Sequence, residues 1–118
     1  MANIQLTLAC EDYDRTRPIK DGRIKPEGIE INYLVMSVEE IFWRMMKYEE
    51  FDISELSMGA FLTAAARGRR PFIAIPVFPS RTFRHRCIFI NTASGIEQPE
   101  EQRGRRMGVP EYSMTAAV

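Results

Sequence analysis

The sequence has few of the residues that build metal and redox sites. Its 118 residues include two cysteines and a single histidine. Cys10 and Cys87 each stand in an apolar, strand-like context, and neither has a CxxC partner or a metal-ligand spacing. The sequence therefore gives no indication of a metal site, and it favours two buried thiols in a reducing compartment.

Net charge and long apolar runs are also lacking. Sixteen Lys and Arg balance sixteen Asp and Glu, so the overall charge favours neither a nucleic acid nor an anionic membrane as a partner. No run approaches the ~20 apolar residues of a membrane span, and the first residues lack the pattern of a signal peptide. We therefore expect a soluble, cytoplasmic protein of one-domain size.

Acidic residues are missing from one long window of the chain. Between Glu55 and Glu97 there is none, and the same window contains six arginines, namely Arg67, Arg69, Arg70, Arg81, Arg84 and Arg86. A locally positive surface on a neutral protein suits a small anion better than a polymer. The window also lacks the interleaved exposed aromatic residues and the motifs of a nucleic-acid interface.

Hydrophobic periodicity predicts alternating strands and helices in the first half of the chain. Apolar and polar residues alternate over 4–8 and over 29–35, which indicates two strands. Ser37, with Glu40 three residues later, is a typical helix N-cap, and the apolar face of that helix would consist of Ile41, Phe42, Met45 and Met46. A short strand at 51–53 leads to a second helix, which Ser57 would cap and Gly68 would end.

Further strands are predicted in the second half. Residues 72–78 are apolar but are interrupted and followed by prolines, which favours an edge or crossing strand. Residues 87–91 indicate a buried strand, 99–102 a helical turn and 107–109 a last strand. Helices between strands predict an open α/β sheet. Because the last strand lacks a covering helix, we expect a fragment of a longer protein.

The stretch FPSRTFRHRCIFIN, residues 78–91, sets the single histidine among three arginines. If residues 81–87 are extended, Arg81 and His85 share one face and can converge on a pocket, while Arg84 lies on the other. Arginine binds carboxylates with two parallel hydrogen bonds, and histidine transfers protons near neutral pH. The alternative is a solvated basic loop that pairs with the acidic helix at 39–50.

Other strand ends carry groups that suit an anion. Tyr13 and Arg15 follow the first strand, where they could stack on an aromatic ring and reach a carboxylate. Ser57 and Ser113 each precede or open a helix, where backbone N–H groups can bind an anion. Ligands of open α/β sheets bind at the carboxyl ends of the strands, so these loops form a candidate site. The alternatives are an acidic surface loop after the first strand and ordinary capped turns.

Four segments together resemble a known family. LACEDYDRT, FDISELSMGAFL, PVFPSRTFRHRCIFIN and RGRRMGVPEYSMTAAV are similar to the 4,5-dihydroxyphthalate decarboxylase family, within the periplasmic binding protein type II superfamily. The resemblance implies an α/β fold of two lobes joined by a hinge, with an open mixed sheet, flanking helices and the ligand in the cleft. Residues 1–95 would form the first lobe and 96–118 the start of the second. With most of the second lobe missing, the chain alone would be inactive.

The resemblance implies a carboxy-lyase without metal or organic cofactor that releases CO2 from a dihydroxyphthalate to give 3,4-dihydroxybenzoate. On chemical grounds we assign proton transfer to His85 and carboxylate binding to Arg81 and Arg84. The rest of the substrate-binding cleft would include Tyr13, Arg15, Ser57 and Ser113. The alternative is a solute-binding protein that delivers a small organic anion to a transporter, because it needs the same arginines without the proton donor. An apolar strand edge exposed near 105–109 would allow a homo-oligomer.

Overall fold

A three-stranded parallel sheet organises the first half of the protein. The computed structural model describes residues 2–69, 71–81, 83 and 87–109. The strands, arranged in the order β2-β1-β3, are β1 (Ile4–Cys10), β2 (Ile29–Val35) and β3 (Ile53–Ser54). The helices are α1 (Arg17–Lys20), α2 (Val38–Tyr48) and α3 (Met58–Ala66), and 3-10 turns follow at Thr92–Ser94 and Pro99–Gln102. These elements confirm the predicted α/β class. The order through α3 is also as predicted, except that the short helix α1 was not predicted and the strand expected at 51–53 lies at Ile53–Ser54.

The register of the sheet places the carboxyl ends of all three strands on one edge. Strand β1 is central, with Cys10 opposite Val35 on one side and Ala9 opposite Ser54 on the other. Both pairings are parallel, so the mixed sheet that we expected is, within the described residues, a parallel one. Parallel strands need helical crossovers, and α1 and α2 supply them.

Helix α2 covers the sheet and forms the core with it. The Ser37 hydroxyl accepts a hydrogen bond from the Glu40 N–H at 3.4 Å, which confirms the predicted N-cap. The predicted apolar face is confirmed for Ile41, Phe42 and Met45, which are buried, whereas Met46 is only partly buried. They pack with Ala9 of β1 and with Phe51, in a cluster where Ile41 has no exposed surface. Burial of one helix face against a sheet supplies most of the stability of such a unit.

Both long helices end at a residue in the left-handed region. Gly68 has a φ of 78° and its N–H donates to Ala65 at 3.0 Å, so it ends α3 as predicted. Helix α2 ends at Glu49, whose φ is 52°. The Arg44 guanidinium fixes the following turn, because it pairs with Glu50 and lies 5.2 Å from the centre of the Phe51 ring.

The second half differs from the prediction. No strand occurs among the described residues of 71–109, so the strands expected at 72–78, 87–91 and 107–109 are wrong. Phe72 packs against the core, but Ile73 is 94% exposed and Phe89 is 88% exposed. Cys87 is exposed as well, whereas Cys10 is buried as expected. A strand needs a hydrogen-bonded neighbour, and an apolar run does not supply one by itself.

Two smaller features complete the fold. The helical turn expected at 99–102 is confirmed as a 3-10 turn over Pro99–Gln102. Within the described ranges, no helix has both the length and the apolar character needed to cross a membrane.

Candidate functional site at the carboxyl ends of the strands

The candidate site lies where β1 and β3 end side by side. The loop 11–16 follows β1, and the turn 55–57 leads from β3 into α3. The Glu55 N–H donates to the Ala9 carbonyl at 3.2 Å, which extends the β1–β3 pairing beyond the last strand residue. The two segments that follow the strands are therefore held next to each other, at the edge where open α/β sheets bind ligands.

The Glu55 carboxylate joins these two segments. One of its oxygens accepts a hydrogen bond from the Glu11 N–H at 2.7 Å, and the other accepts one from the Tyr13 hydroxyl at 2.9 Å. Burial, followed by the hydrogen bond to the Glu55 carboxylate, raises the pKa of Tyr13 well above its ordinary value. Tyr13 is consequently a neutral hydrogen-bond donor at physiological pH.

A second chain of hydrogen bonds closes the loop from the side of β2. The Tyr33 hydroxyl lies 3.0 Å from Thr16 Oγ1, which in turn donates to the Tyr13 carbonyl at 3.2 Å. Burial raises the pKa of Tyr33 to about 12, and it raises the pKa of the neighbouring Cys10 thiol to about 11. All of these groups stay protonated near neutral pH, so they support the loop rather than exchange protons.

Tyr13 and Arg15 form a stacked pair on the outer side of this loop. The Arg15 guanidinium carbon lies 4.7 Å from the centre of the Tyr13 ring, a cation–π geometry. Arg15 also pairs with Asp14 at 2.9 Å, and its Nε donates to the carbonyl of Pro79. The half-exposed guanidinium thus connects the strand edge with the segment that leads to Arg81. The Tyr13 ring, with the Arg15 guanidinium stacked on it, is suited to bind an aromatic anion.

Ser57 lies at the same edge but is turned inward. It is 4% exposed, and its hydroxyl accepts a hydrogen bond from the Ala60 N–H at 3.3 Å. The serine therefore caps α3, as the alternative interpretation of this turn had it. Capping and a contribution of the nearby helix N-terminus to anion binding are compatible, because the helix dipole also favours an anion near the first turn.

The remaining predicted site residues belong to the second half of the chain. Arg81 is exposed, and its guanidinium carbon lies 5.7 Å from the centre of the Phe78 ring. His85, Arg84 and Ser113 lie outside the described residues. The structure thus brings Tyr13, Arg15 and the Ser57 turn to one edge and ties that edge to Pro79, two residues before Arg81.

Two other features of the molecule bear on the location of the site. A groove lies along residues 19–26 and the start of β2, at the opposite end of the sheet from the carboxyl ends. The ammonium of Lys20, one of its lining residues, pairs with Asp12 at 2.8 Å. In the part of the chain that the structure describes, no group of three or more His, Cys, Asp and Glu could hold a metal ion.

Glu55 is the residue of the site that the sequence analysis did not single out. A lone carboxylate after a short strand looks like a solvated surface residue. Its two partners, Glu11 and Tyr13, are more than forty residues away in sequence. The sequence offered one signal, namely that Glu55 stands two residues after the strand predicted at 51–53.

Comparison with known proteins supports a decarboxylase relationship. No protein-family model matches the chain. A 4,5-dihydroxyphthalate decarboxylase of Comamonas testosteroni and another of Pseudomonas putida are each 42% identical to it over all 118 residues. The family resemblance is thus confirmed. The chain spans 36% of the length of the first relative and 46% of the second, so less than half of either protein corresponds to it.

Proposed function

We propose that the chain is part of a carboxy-lyase that releases CO2 from 4,5-dihydroxyphthalate and leaves 3,4-dihydroxybenzoate, a step in the degradation of phthalates. The observation that carries the proposal is the 42% identity to two 4,5-dihydroxyphthalate decarboxylases along the entire chain. The stacked Tyr13–Arg15 pair at the carboxyl ends of the strands supports it, because an aromatic dicarboxylate needs both an aromatic surface and guanidinium groups.

In the proposed reaction the ring itself supplies the electrons. The hydroxyl para to one carboxylate donates electron density to the carbon that bears this carboxylate, and His85 protonates that carbon as a general acid. The bond to the carboxylate then breaks, CO2 leaves, and the bonding electrons restore the aromatic ring. One proton enters and one CO2 departs, so the step requires no oxidant or reductant.

The binding roles follow from charge. Arg81 and Arg84 bind the two carboxylates as planar forks, with Arg15 as a further cation at the strand edge. Tyr13 forms part of the aromatic wall. Ser57 stands at the start of α3, and the sequence predicts a helix start at Ser113; at both, the helix N-terminus would add weak attraction for an anion.

The proposal extends to the fold and the compartment. We assign residues 1–95 to the first lobe of a periplasmic binding protein type II-like fold and residues 96–118 to the start of the second. The parallel sheet, whose strands all end at one edge, is compatible with such a lobe. We further propose a cytoplasmic location, which the two free cysteines, Cys10 and Cys87, support because free thiols persist in a reducing compartment.

The test of this function is CO2 release from 4,5-dihydroxyphthalate by the longest product of the reading frame that encodes the chain. His85→Asn keeps a hydrogen-bonding side chain but removes proton transfer, so kcat is expected to fall by ~10²–10⁴-fold. Arg81→Ala removes a partner that the carboxylate has in both ground and transition states, so it is expected mainly to raise KM, by roughly 10-fold or more.

Two outcomes would contradict the proposal. Equal turnover by the unsubstituted protein and His85→Asn would remove His85 from the chemistry. Tight binding of 4,5-dihydroxyphthalate without any turnover would instead favour a solute-binding protein.

A further inference from the structure

Glu55 is placed to organise the strand edge without touching a substrate itself. Each of its carboxylate oxygens is engaged by a donor from the loop after β1, the Glu11 N–H at 2.7 Å and the Tyr13 hydroxyl at 2.9 Å. A carboxylate would repel a dicarboxylate that approached it directly. Its contribution to an anion site must therefore pass through the groups that it holds.

The contacts of Glu55 lead outward to the arginine segment. The hydroxyl of Tyr13 is held by Glu55, and the ring of Tyr13 carries the guanidinium of Arg15 at 4.7 Å. Arg15 Nε donates to the carbonyl of Pro79, and Arg81 follows two residues later. Three successive contacts thus connect the end of β3 with the segment that bears a proposed carboxylate ligand.

We propose that Glu55 is a positioning residue for the substrate site, which fixes the Tyr13 ring and, through the stacked Arg15, the approach of the Pro79–Arg81 segment. This inference rests on the proposed function, since the substrate is the aromatic dicarboxylate assigned above. It predicts that loss of the Glu55 charge impairs substrate binding even though Glu55 makes no contact with the substrate.

The chain offers a matched control for this test. Asp52, three residues before Glu55, also accepts a backbone N–H from the β1 segment, that of Thr7 at 2.8 Å. The pair Glu55→Gln and Asp52→Asn therefore compares two carboxylate-to-amide changes that each weaken a contact to the β1 segment. Only the first affects the hydrogen bond of Tyr13.

The first readout is spectroscopic and independent of activity. In protein labelled with ¹³C at tyrosine Cζ, the Tyr13 signal is assigned by its loss in Tyr13→Phe, and its ionisation is followed at alkaline pH. Glu55→Gln is expected to lower the pKa of Tyr13, because the neighbouring negative charge is gone. Asp52→Asn is expected to leave the titration of Tyr13 unchanged.

The second readout is the kinetics of CO2 release from 4,5-dihydroxyphthalate. Loss of one charged hydrogen bond in the site is expected to raise KM by ~10-fold in Glu55→Gln, with a smaller change in kcat, and Asp52→Asn should not do so. Tyr13→Phe keeps the ring and loses only the hydroxyl, so it should have the same effect as Glu55→Gln. The double variant should then add little to either single one.

The outcomes separate the inference from the function on which it rests. An unchanged Tyr13 titration in Glu55→Gln, equal KM values for Glu55→Gln and Asp52→Asn, or full additivity with Tyr13→Phe would each overturn the role of Glu55 alone. Absence of CO2 release by the unsubstituted protein, with the Tyr13 titration shifted as expected, would overturn the decarboxylase function and with it the substrate for which Glu55 positions the site.

Discussion

The buried thiol of Cys10 links the stability of the protein to alkaline pH. Cys10 is 3% exposed at the end of β1, and burial raises its pKa from 9.0 to about 11. Between these two values the unfolded chain has released the thiol proton while the folded chain still holds it. The free energy of unfolding is therefore expected to fall as pH rises from 9 to about 11, and this contribution is intact below pH 9.

Chemical denaturation at a series of pH values from about 8 to 11 measures this decline. Cys10→Ala should make the fall in the free energy of unfolding between pH 9 and 10 less steep. The tyrosines do not cause this part of the fall, because in the unfolded chain they titrate only near their ordinary pKa of 10.0. Cys87→Ala, which removes an exposed thiol, is the control and should keep the slope of the unsubstituted protein. The same slope in Cys10→Ala would refute the assignment to Cys10.

Single residues were predictable where their own neighbours in sequence fix their role. Ser37 and Gly68 act as expected, because a cap or a helix stop depends on residues three or four positions away. Cys87 and Glu55 were not predictable in this way. Cys87 was predicted to be buried, but burial would have required a partner strand, and none occurs among the described residues of that region. The role of Glu55 depends on Tyr13, which is distant in sequence.

At the level of elements, the same distinction separates the two halves of the chain. Strands β1 and β2 and helices α2 and α3 each combine a clear period with start and stop signals, and all four were predicted. The apolar runs at 72–78 and 87–91 have comparable hydrophobicity but form no strands among their described residues. Hydrophobicity indicates that burial of a segment would lower its free energy. It does not specify a strand, because a strand forms only beside another strand to which it is hydrogen-bonded.

Two isoleucines give a direct test of which elements build the core. Ile41 of α2 has no exposed surface, whereas Ile73 is 94% exposed. Ile41→Ala is expected to lower the free energy of unfolding by ~2–5 kcal/mol, because it removes buried methyl groups and leaves a cavity. The same change at Ile73 should alter it by less than about 0.5 kcal/mol.

Thermal and urea unfolding of both variants measure the difference. If Ile41→Ala does not fold, Ile41→Val takes its place, with an expected loss of ~0.5–1.5 kcal/mol in the free energy of unfolding. Equal losses at Ile41 and Ile73 would mean that the second half is packed against apolar surface, contrary to the exposure of Ile73 described above.

The molecule as a whole is extended for its length. Its Cα radius of gyration is 18.0 Å, whereas a compact domain of this size would have roughly 13–14 Å. The exposed apolar side chains of the second half include Ile73, Val77, Phe83 and Phe89. Exposed apolar surface of this kind favours association. We had expected association through a strand edge near 105–109, but no strand forms at these described residues. We now expect association through the exposed apolar side chains of the second half.

We expect the 118-residue chain to self-associate as its concentration rises. Sedimentation velocity from roughly 10 to 100 µM, a range in which aggregation-prone species assemble, should show a rising mean sedimentation coefficient. The double substitution Ile73→Lys and Phe89→Lys should reduce the rise, because it places charge on the apolar segment. Asn3→Lys with Gln5→Lys adds the same charge at exposed polar positions and is the control. A monomer at every concentration would refute this expectation.

The position of the sheet along the chain has a consequence for the order in which the protein takes shape. In the part of the chain that the structure describes, the three strands and both long helices lie within residues 4–66. The ribosome makes this segment before residues 71–109, and domains generally fold as units during synthesis in the N-to-C direction. The sheet, the core and the Glu55–Tyr13 contact can therefore form while residues 71–109 are still being translated. The nascent chain then adds Pro79 and Arg81 to an edge that is already in place.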